Sequence, residues 1–224
     1  MLRKNIVRLL VLVLVALPLL SLNVQPARAA VRNPILFVHG WNGSSSTWTT
    51  MVSRFKQAGW TDSQLFNWSY NSSQSNATTA AQIRTKVNEI RAVTGASKVD
   101  IISHSMGGLS SRYYLKNLGG TAYVDAWVSL GGPNHGTSVA NFCFSTSCSE
   151  MRAGSSFLTA LNSVDETPGA VRYATWRSTC DVVILPTSSV PVSGGNNILT
   201  ACLSHSGLHG DATVFNQVRT WIDQ

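Results

Sequence analysis

A short apolar run that ends in a serine and passes directly into a helical pattern constrains this chain more than any other feature. Residues 99–102 (Val-Asp-Ile-Ile) are typical of a buried β-strand, and residues 109–117 are typical of a helix. Ser105 lies between them, with the small residues Ser103 and Gly107 two positions on either side. A turn this sharp holds its central residue in a strained backbone region, so bulky flanking residues would collide. The run therefore predicts a nucleophile elbow, in which Ser103 replaces the usual first glycine.

The first 29 residues have the composition of an export signal. A positively charged start at residues 3–8 precedes an apolar run at residues 9–20, and Ala27-Arg28-Ala29 has the form of a signal-peptidase site. The apolar run is too short to span a membrane comfortably. We therefore expect cleavage after Ala29, a secreted protein with no stable membrane anchor, and one domain over residues 30–224.

The net charge of the chain depends strongly on this signal. Four of the 17 Lys and Arg residues lie within it, whereas all ten acidic residues follow it, so its removal lowers the formal net charge from +7 to +3. The remaining basic residues are scattered along the chain and form no cluster. We therefore expect no nucleic-acid partner, and we expect the chain to be a monomer.

Strand and helix patterns alternate over the rest of the chain. Apolar runs predict strands at residues 34–38, 65–68, 99–103, 124–130, 171–176 and 198–202. Helical patterns occupy residues 46–59, 80–94, 109–117, 157–162 and 211–222. Gly59 and Gly95 are typical residues after a helix end, and Asp211 is a typical N-cap. This alternation indicates a mostly parallel sheet with helices on both faces.

A serine hydroxyl is a poor nucleophile at neutral pH unless an imidazole accepts its proton and a carboxylate orients that imidazole. After an elbow of this kind the chain order is serine, then acid, then histidine. Asp181 and His205 satisfy this order, and each follows a predicted strand. Because sites in α/β sheets lie at the carboxyl ends of parallel strands, we predict a catalytic triad of Ser105, Asp181 and His205.

Other titratable residues have less support in these roles. Asp165 is the second candidate for the acid, although its polar, proline-containing surroundings are typical of a turn. His135 is interpreted as a loop residue or a substrate contact, and His104 as a residue that packs or bonds locally. His209 lies four residues after His205, but no third ligand is suitably spaced, so we expect no metal site and no cofactor.

Acyl transfer also requires donors for the negative charge that develops on the carbonyl oxygen. One donor is the backbone N–H of the residue after the nucleophile, which is Met106. The second comes from a loop after an early strand, which here is His39-Gly40-Trp41-Asn42-Gly43. We therefore predict that the N–H groups of Trp41 and Met106 form the oxyanion hole.

The four cysteines are Cys143, Cys148, Cys180 and Cys202. An even number in an exported chain indicates two disulfides, and no C-x-x-C spacing points to a metal site. Three pairings are possible, and we favour Cys143–Cys148 with Cys180–Cys202. Cys180 directly precedes Asp181 and Cys202 lies three residues before His205, so that bridge would join the loops of the acid and the base.

These residues resemble the class 2 group of small secreted lipases with an α/β-hydrolase fold. The resemblance is closest to the minimal lipase A type of Bacillus and its Streptomyces relatives. The matching segments are residues 33–43, 98–108, 114–118, 130–132, 181–183 and 205–208. The resemblance implies a minimal α/β-hydrolase with little or no lid, and it assigns Ser105, Asp181 and His205 the same roles as above. Two features depart from that type: Trp41 replaces a smaller aliphatic residue, and the cysteines are additional.

The resulting hypothesis is a secreted carboxylic-ester hydrolase that acts on triacylglycerol, with an ester or a lipid surface as its partner. One alternative is an esterase for short or soluble esters, polyester included, and another is a catalytically inactive secreted binding module. Several apolar residues are candidates to line an acyl groove or its rim. Besides Trp41, these candidates are Trp48, Phe142, Phe144, Leu203 and Leu208.

Overall fold

The computed structural model describes residues 32–224, so the predicted export signal and its cleavage site lie outside the described residues. Among the helices of residues 32–224, none combines the length and the apolar composition needed to cross a membrane.

Six parallel strands form one sheet. The strands are β1 (Ile35–Val38), β2 (Leu65–Asn67), β3 (Val99–His104), β4 (Val124–Leu130), β5 (Arg172–Arg177) and β6 (Asn196–Leu199). Their spatial order is β2-β1-β3-β4-β5-β6, and every neighbouring pair is parallel. The parallel sheet expected from the sequence is therefore confirmed. Because all carboxyl ends lie at one edge, the loops that follow β1, β3, β5 and β6 meet there.

Helices cover both faces of this sheet. They are α1 (Thr49–Gln57), α2 (Asn76–Thr94), α3 (Gly107–Asn117), α4 (Thr146–Glu150), α5 (Ser156–Asn162), α6 (Gly207–Gly210) and α7 (Ala212–Ile222). In β1, Ile35 and Phe37 pack in one core layer with residues of α1 and α7. Leu36 and Val38 pack in a second layer with residues of α2 and α3. Strand alternation thus places one apolar row against each helical layer.

The helix ends follow from their capping residues. Gly95 has a φ of +70° and ends α2, and the carboxylate of Asp211 accepts the backbone N–H groups of Thr213 and Val214 at the start of α7. Helix α2 begins four residues earlier than predicted. The cause is Glu150, whose carboxylate accepts from Ser75 Oγ (2.6 Å) and Asn76 N (2.7 Å) and so stabilises the positive end of the helix.

Other predicted elements also differ in extent. The first helix starts as a 3₁₀ turn over Ser45–Trp48 before α1 begins. Strand β6 was expected at residues 198–202 but spans Asn196–Leu199. Thr200 N still bonds to Arg177 O, at 2.8 Å, and the chain then leaves the sheet because Cys202 is joined to Cys180 by a disulfide.

The irregular segment after β4 is held over one end of α3. Its short helices α4 and α5 contribute Cys148, Leu158 and Leu161 to a third apolar cluster, which includes Met106 and Leu109. This cluster places the segment beside the carboxyl edge of the sheet, next to the serine that follows β3.

Candidate active site

Ser105 lies in a sharply constrained turn at the end of β3. Its φ is +55°, in the left-handed region, and its N–H donates to Leu130 O at 2.9 Å. A Cβ placed on Gly107 would lie 2.5 Å from the carbonyl oxygens of Val38 and His39. No side chain fits there, which is the steric restriction that the sequence pattern implied.

Asp181 and His205 are joined by a short hydrogen bond. His205 Nδ1 lies 2.7 Å from Asp181 Oδ2, and the other carboxylate oxygen accepts from Val183 N at 2.8 Å and Ile184 N at 3.0 Å. Burial alone would raise the pKa of Asp181, but the bond and charge of His205, with the two backbone donors, outweigh it and lower that pKa. The carboxylate therefore accepts the Nδ1 proton, which leaves His205 Nε2 free to act as a base.

The loops that carry this pair are tied to each other. Cys180 and Cys202 form a disulfide, and Cys143 and Cys148 form the other, which are the pairings favoured from the sequence. Ser178 Oγ also accepts N–H groups from both loops, those of Cys180 (3.1 Å) and Leu203 (2.9 Å). The acid loop and the base loop therefore form one connected unit.

Ser105 and His205 line a common cavity of about 440 Å³. Its remaining wall is largely apolar and includes Trp41, Val139, Ala140, Phe142, Met151, Val183 and Ile184. Within residues 32–224 the two catalytic candidates are not hydrogen-bonded to each other, a contact that often tightens only with substrate bound. A groove of about 500 Å³ between β6 and α7 contains none of the predicted triad.

The backbone N–H groups of Trp41 and Met106 have no hydrogen-bond acceptor within the described part of the chain.

The loop that carries Trp41 is shaped by His39. His39 Nδ1 donates to Gly40 O at 2.8 Å, and Nε2 accepts from Tyr70 N at 3.3 Å, while the two rings stack at 4.0 Å. Burial lowers the pKa of His39 despite its bond to Gly40, so the neutral ring keeps both contacts. His39 therefore fixes the loop in which Gly40 lies against Ser105, and the N–H groups of Trp41 and Met106 are the candidate donors to an oxyanion.

The structure corrects several of the predicted substrate contacts. Trp48 and Leu208 are fully buried, and both pack in the core layer beneath α1 and α7, so neither reaches the cavity. Leu203 packs against the same layer. Phe142 does line the cavity, whereas Phe144 is 88% exposed and is not part of its wall. Apolar character alone does not distinguish these situations, because it serves a core and a groove equally well.

The alternative acid and two of the other histidines lie in ordinary structural roles. Asp165 accepts the N–H of Thr167 at 2.9 Å in a local turn. His135 bonds to Glu166 at 2.9 Å and to Ser189 O, outside the cavity. His209 lines the cavity and packs against other rings. Within residues 32–224, no cluster of His, Cys, Asp and Glu is arranged to hold a metal ion.

His104 was predicted to pack or to bond locally; its ring does pack, against His205 and His209, but its hydrogen bond goes to the loop that carries His205. Its Nε2 lies 3.0 Å from His205 O, across 101 positions of sequence. Its position next to Ser105 was visible in the sequence, but its distant partner was not.

Comparison with known proteins places this arrangement in a family. The family model described as Lipase (class 2) matches residues 32–212. The chain belongs to the class 2 lipase family. The chain is 31% identical over 121 residues to triacylglycerol lipases from Pseudarthrobacter phenanthrenivorans and Burkholderia plantarii. Each match covers 51% of this chain but only 37% and 33% of those relatives, respectively, so the chain matches about a third of their length.

Solved structures share the fold of this chain. The mature Bacillus licheniformis lipase BlEst2 superposes with a TM-score of 0.74 at 20% identity, covering 86% of this chain and 93% of that one. Aspergillus fumigatus lipase B gives a TM-score of 0.70 at 17% identity, covering 82% of this chain and 51% of that one. At these identities the likeness establishes the α/β-hydrolase fold alone, because one fold supports many functions.

Proposed function

We propose that this class 2 lipase is a secreted carboxylic-ester hydrolase that cleaves triacylglycerol through a covalent acyl-enzyme on Ser105. The observation that carries the proposal is the Asp181–His205 hydrogen bond of 2.7 Å, formed at the wall of the same cavity that exposes Ser105. The N–H groups of Trp41, which lines this cavity, and of Met106, which directly follows Ser105, have no acceptor within residues 32–224 and would meet the second requirement of acyl transfer.

In the first half of the reaction, Ser105 Oγ forms a bond to the ester carbonyl carbon while His205 Nε2 takes the hydroxyl proton. The N–H groups of Trp41 and Met106 donate to the resulting oxyanion. When the tetrahedral intermediate collapses, the bond to the alcohol oxygen breaks and protonated His205 returns the proton to that oxygen. The alcohol leaves, and the acyl group stays on Ser105.

In the second half, a water molecule gives a proton to His205 Nε2 and its oxygen bonds to the acyl carbon. Collapse of this intermediate breaks the bond to Ser105 Oγ, which regains its proton from His205, and the carboxylic acid departs. Asp181 remains a carboxylate throughout and stabilises the imidazolium in both halves. The residues needed for this sequence of steps all come from the chain itself.

The substrate class follows from the wall of the cavity. Apolar side chains dominate it, and a volume of about 440 Å³ falls in the usual range for a small-molecule site. Exposed Phe142, Phe144 and Trp41 lie at or next to this wall, which favours contact with a lipid surface. These features support an acyl-chain substrate, and the names of the curated relatives agree with it.

The test is hydrolysis of p-nitrophenyl esters of increasing acyl length and of a triacylglycerol emulsion, with Ser105→Ala in parallel. We expect activity on long chains and on the emulsion, and its loss in the variant. Cleavage of short soluble esters alone would make the protein an esterase. Equal inactivity of both proteins on every substrate would overturn the enzyme proposal in favour of a binding module.

Secretion has its own test. When the full chain is expressed in a bacterium, we expect the protein in the medium to begin at Ala30, as the predicted site after Ala29 requires. Retention of the intact 224-residue chain inside the cells would contradict the proposed export.

A further inference from the structure

We propose that His104 is a positioning residue, which holds the loop of the catalytic base on the nucleophile elbow and thereby sets the alignment of His205 with Ser105. This inference rests on the proposed function and deepens it. The triad explains Ser105, Asp181 and His205, but it assigns no role to the buried imidazole that directly precedes the nucleophile.

The contact that carries the inference joins two distant segments. His104 is the last residue of β3, and its Nε2 lies 3.0 Å from the backbone carbonyl oxygen of His205. Because a carbonyl only accepts, Nε2 carries the proton and donates it. His104 is 7% exposed, and burial, followed by the nearby His205 and His209, moves the pKa of His104 well below its ordinary value, so the donor is a neutral imidazole.

Ring packing restricts the orientation of His104. Its centroid lies 4.5 Å from the ring of His205 and 4.7 Å from that of His209, the latter in an edge-on arrangement. Three imidazoles therefore meet at one side of the cavity, with His104 in contact with both of the others. With its ring confined in this way, the Nε2–H of His104 stays directed at the His205 carbonyl.

The other attachments of the loop that carries His205 do not hold the backbone of His205. The disulfide from Cys202 and the bond of Leu203 N to Ser178 Oγ fix the chain before His205. The bond to Asp181 fixes the far side of the imidazole ring. His104 holds the backbone of His205 itself, and it does so from the residue covalently joined to Ser105. The hydrogen bond from His104 to the His205 carbonyl thus limits how far the backbone of the base can move from that of the nucleophile.

Two substitutions separate this role from general packing. In glutamine the side-chain nitrogen stands the same number of bonds from Cβ as histidine Nε2, whereas in asparagine it corresponds to Nδ1 and stops short of the carbonyl. We therefore compare His104→Gln with His104→Asn, and use His135→Asn as the matched control, because His135 lies outside the cavity.

For a short p-nitrophenyl ester, we expect His104→Asn to lower kcat about 10- to 100-fold with KM within about twofold, since misplacement of a reacting group acts mainly on the chemical step. His104→Gln should recover most of kcat, and His135→Asn should match wild type. Equal kcat in wild type and His104→Asn, or equal losses in the Asn and Gln variants, would overturn the proposal.

A second readout does not require turnover. The proton between His205 Nδ1 and Asp181 gives a low-field imidazole signal in proton NMR, which we expect in wild type and His104→Gln and expect to be shifted or lost in His104→Asn. If wild type hydrolyses no ester but this pattern appears, the proposed function fails and the positioning contact stands. If wild type is active and neither kcat nor the signal responds to His104→Asn, the positioning role fails alone.

Discussion

Gly40 lies directly against Ser105, the proposed nucleophile: a Cβ placed on Gly40 would stand 2.7 Å from Ser105 Cβ and 3.2 Å from Ser105 Oγ. The 2.7 Å distance is shorter than real Cβ contacts and the 3.2 Å distance is tight, so the backbone of the Trp41 loop approaches the serine this closely because residue 40 has no side chain. The same absence of a side chain sets the separation between the reacting oxygen and the predicted oxyanion donor.

Gly40→Ala is expected to lower kcat about 100-fold, because the added methyl group displaces the loop that carries the Trp41 N–H. Steady-state kinetics on a soluble ester measure the change. Gly210→Ala is the matched control, since a Cβ there meets no atom within 4 Å. Wild-type activity in Gly40→Ala would show that this loop does not supply a donor.

Asp181→Asn should reduce kcat by about four orders of magnitude while leaving the fold intact. The amide would accept the same backbone N–H groups but would no longer hold the proton on His205 Nδ1. Asp165→Asn removes the second candidate acid and should have little effect on rate. If the two variants exchanged these outcomes, the acid would be Asp165.

The buried carboxyl of Asp100 predicts a pH dependence of stability. Burial, aided by nearby Asp125, raises its pKa to about 7, although Ala126 N and Asn33 donate to it. In the unfolded chain the pKa of an aspartate is about 4, so between about pH 4 and pH 7 the native state binds more protons. The contribution of Asp100 to the free energy of unfolding is therefore at its full value below about pH 4. It decreases as the pH rises to about 7, by up to about 1.4 kcal/mol per pH unit.

Denaturant unfolding at a series of pH values tests this expectation. Asp100→Asn should flatten the decline, because the amide does not titrate. Asp62→Asn is the control, since the side chain of Asp62 is 83% exposed. Parallel stability curves for wild type and Asp100→Asn would contradict the assignment.

The two disulfides should differ in their effects. The disulfide between Cys180 and Cys202 has a sequence separation of 22 and joins the acid and base loops. The disulfide between Cys143 and Cys148 has a sequence separation of 5. In the chain-entropy description their removal costs about 3 and about 2 kcal/mol, respectively. We expect Cys180→Ser/Cys202→Ser to lose activity on warming before the protein unfolds globally, as measured by activity and circular dichroism together. Coincident loss of both signals would show that this bridge stabilises the whole domain only.

Phe142 and Phe144 flank Cys143 and are 83% and 88% exposed. Their replacement by serine should weaken adsorption to a triacylglycerol emulsion, because large apolar side chains at the cavity rim lower the free energy of contact with lipid. We expect emulsion hydrolysis to fall more than hydrolysis of a soluble short ester. Val93→Ser on α2 removes an exposed apolar residue elsewhere and should change neither rate. An equal fall on both substrates would instead locate the effect in the cavity.

Features that depend on local geometry could be predicted from the sequence. The small residues around Ser105 predict a tight turn because adjacent atoms collide there, and the turn has the expected positive φ. The capping positions Gly95 and Asp211 also follow from neighbouring atoms alone. The parallel sheet followed from the alternation of strands and helices, since that order leaves few arrangements that bury every apolar face.

The sequence by itself determined which residues are suited to the chemistry, through the order of Ser105, Asp181 and His205 and their places after strands. Only the tertiary structure decided which apolar residues line the cavity: Trp48 and Leu208 pack in the core, while Phe142 lines the cavity. It also decided that His104 reaches His205 and that the Asp100 carboxyl is buried. These outcomes depend on how segments far apart in sequence pack together, and the periodicity of one segment carries no information about its distant neighbours.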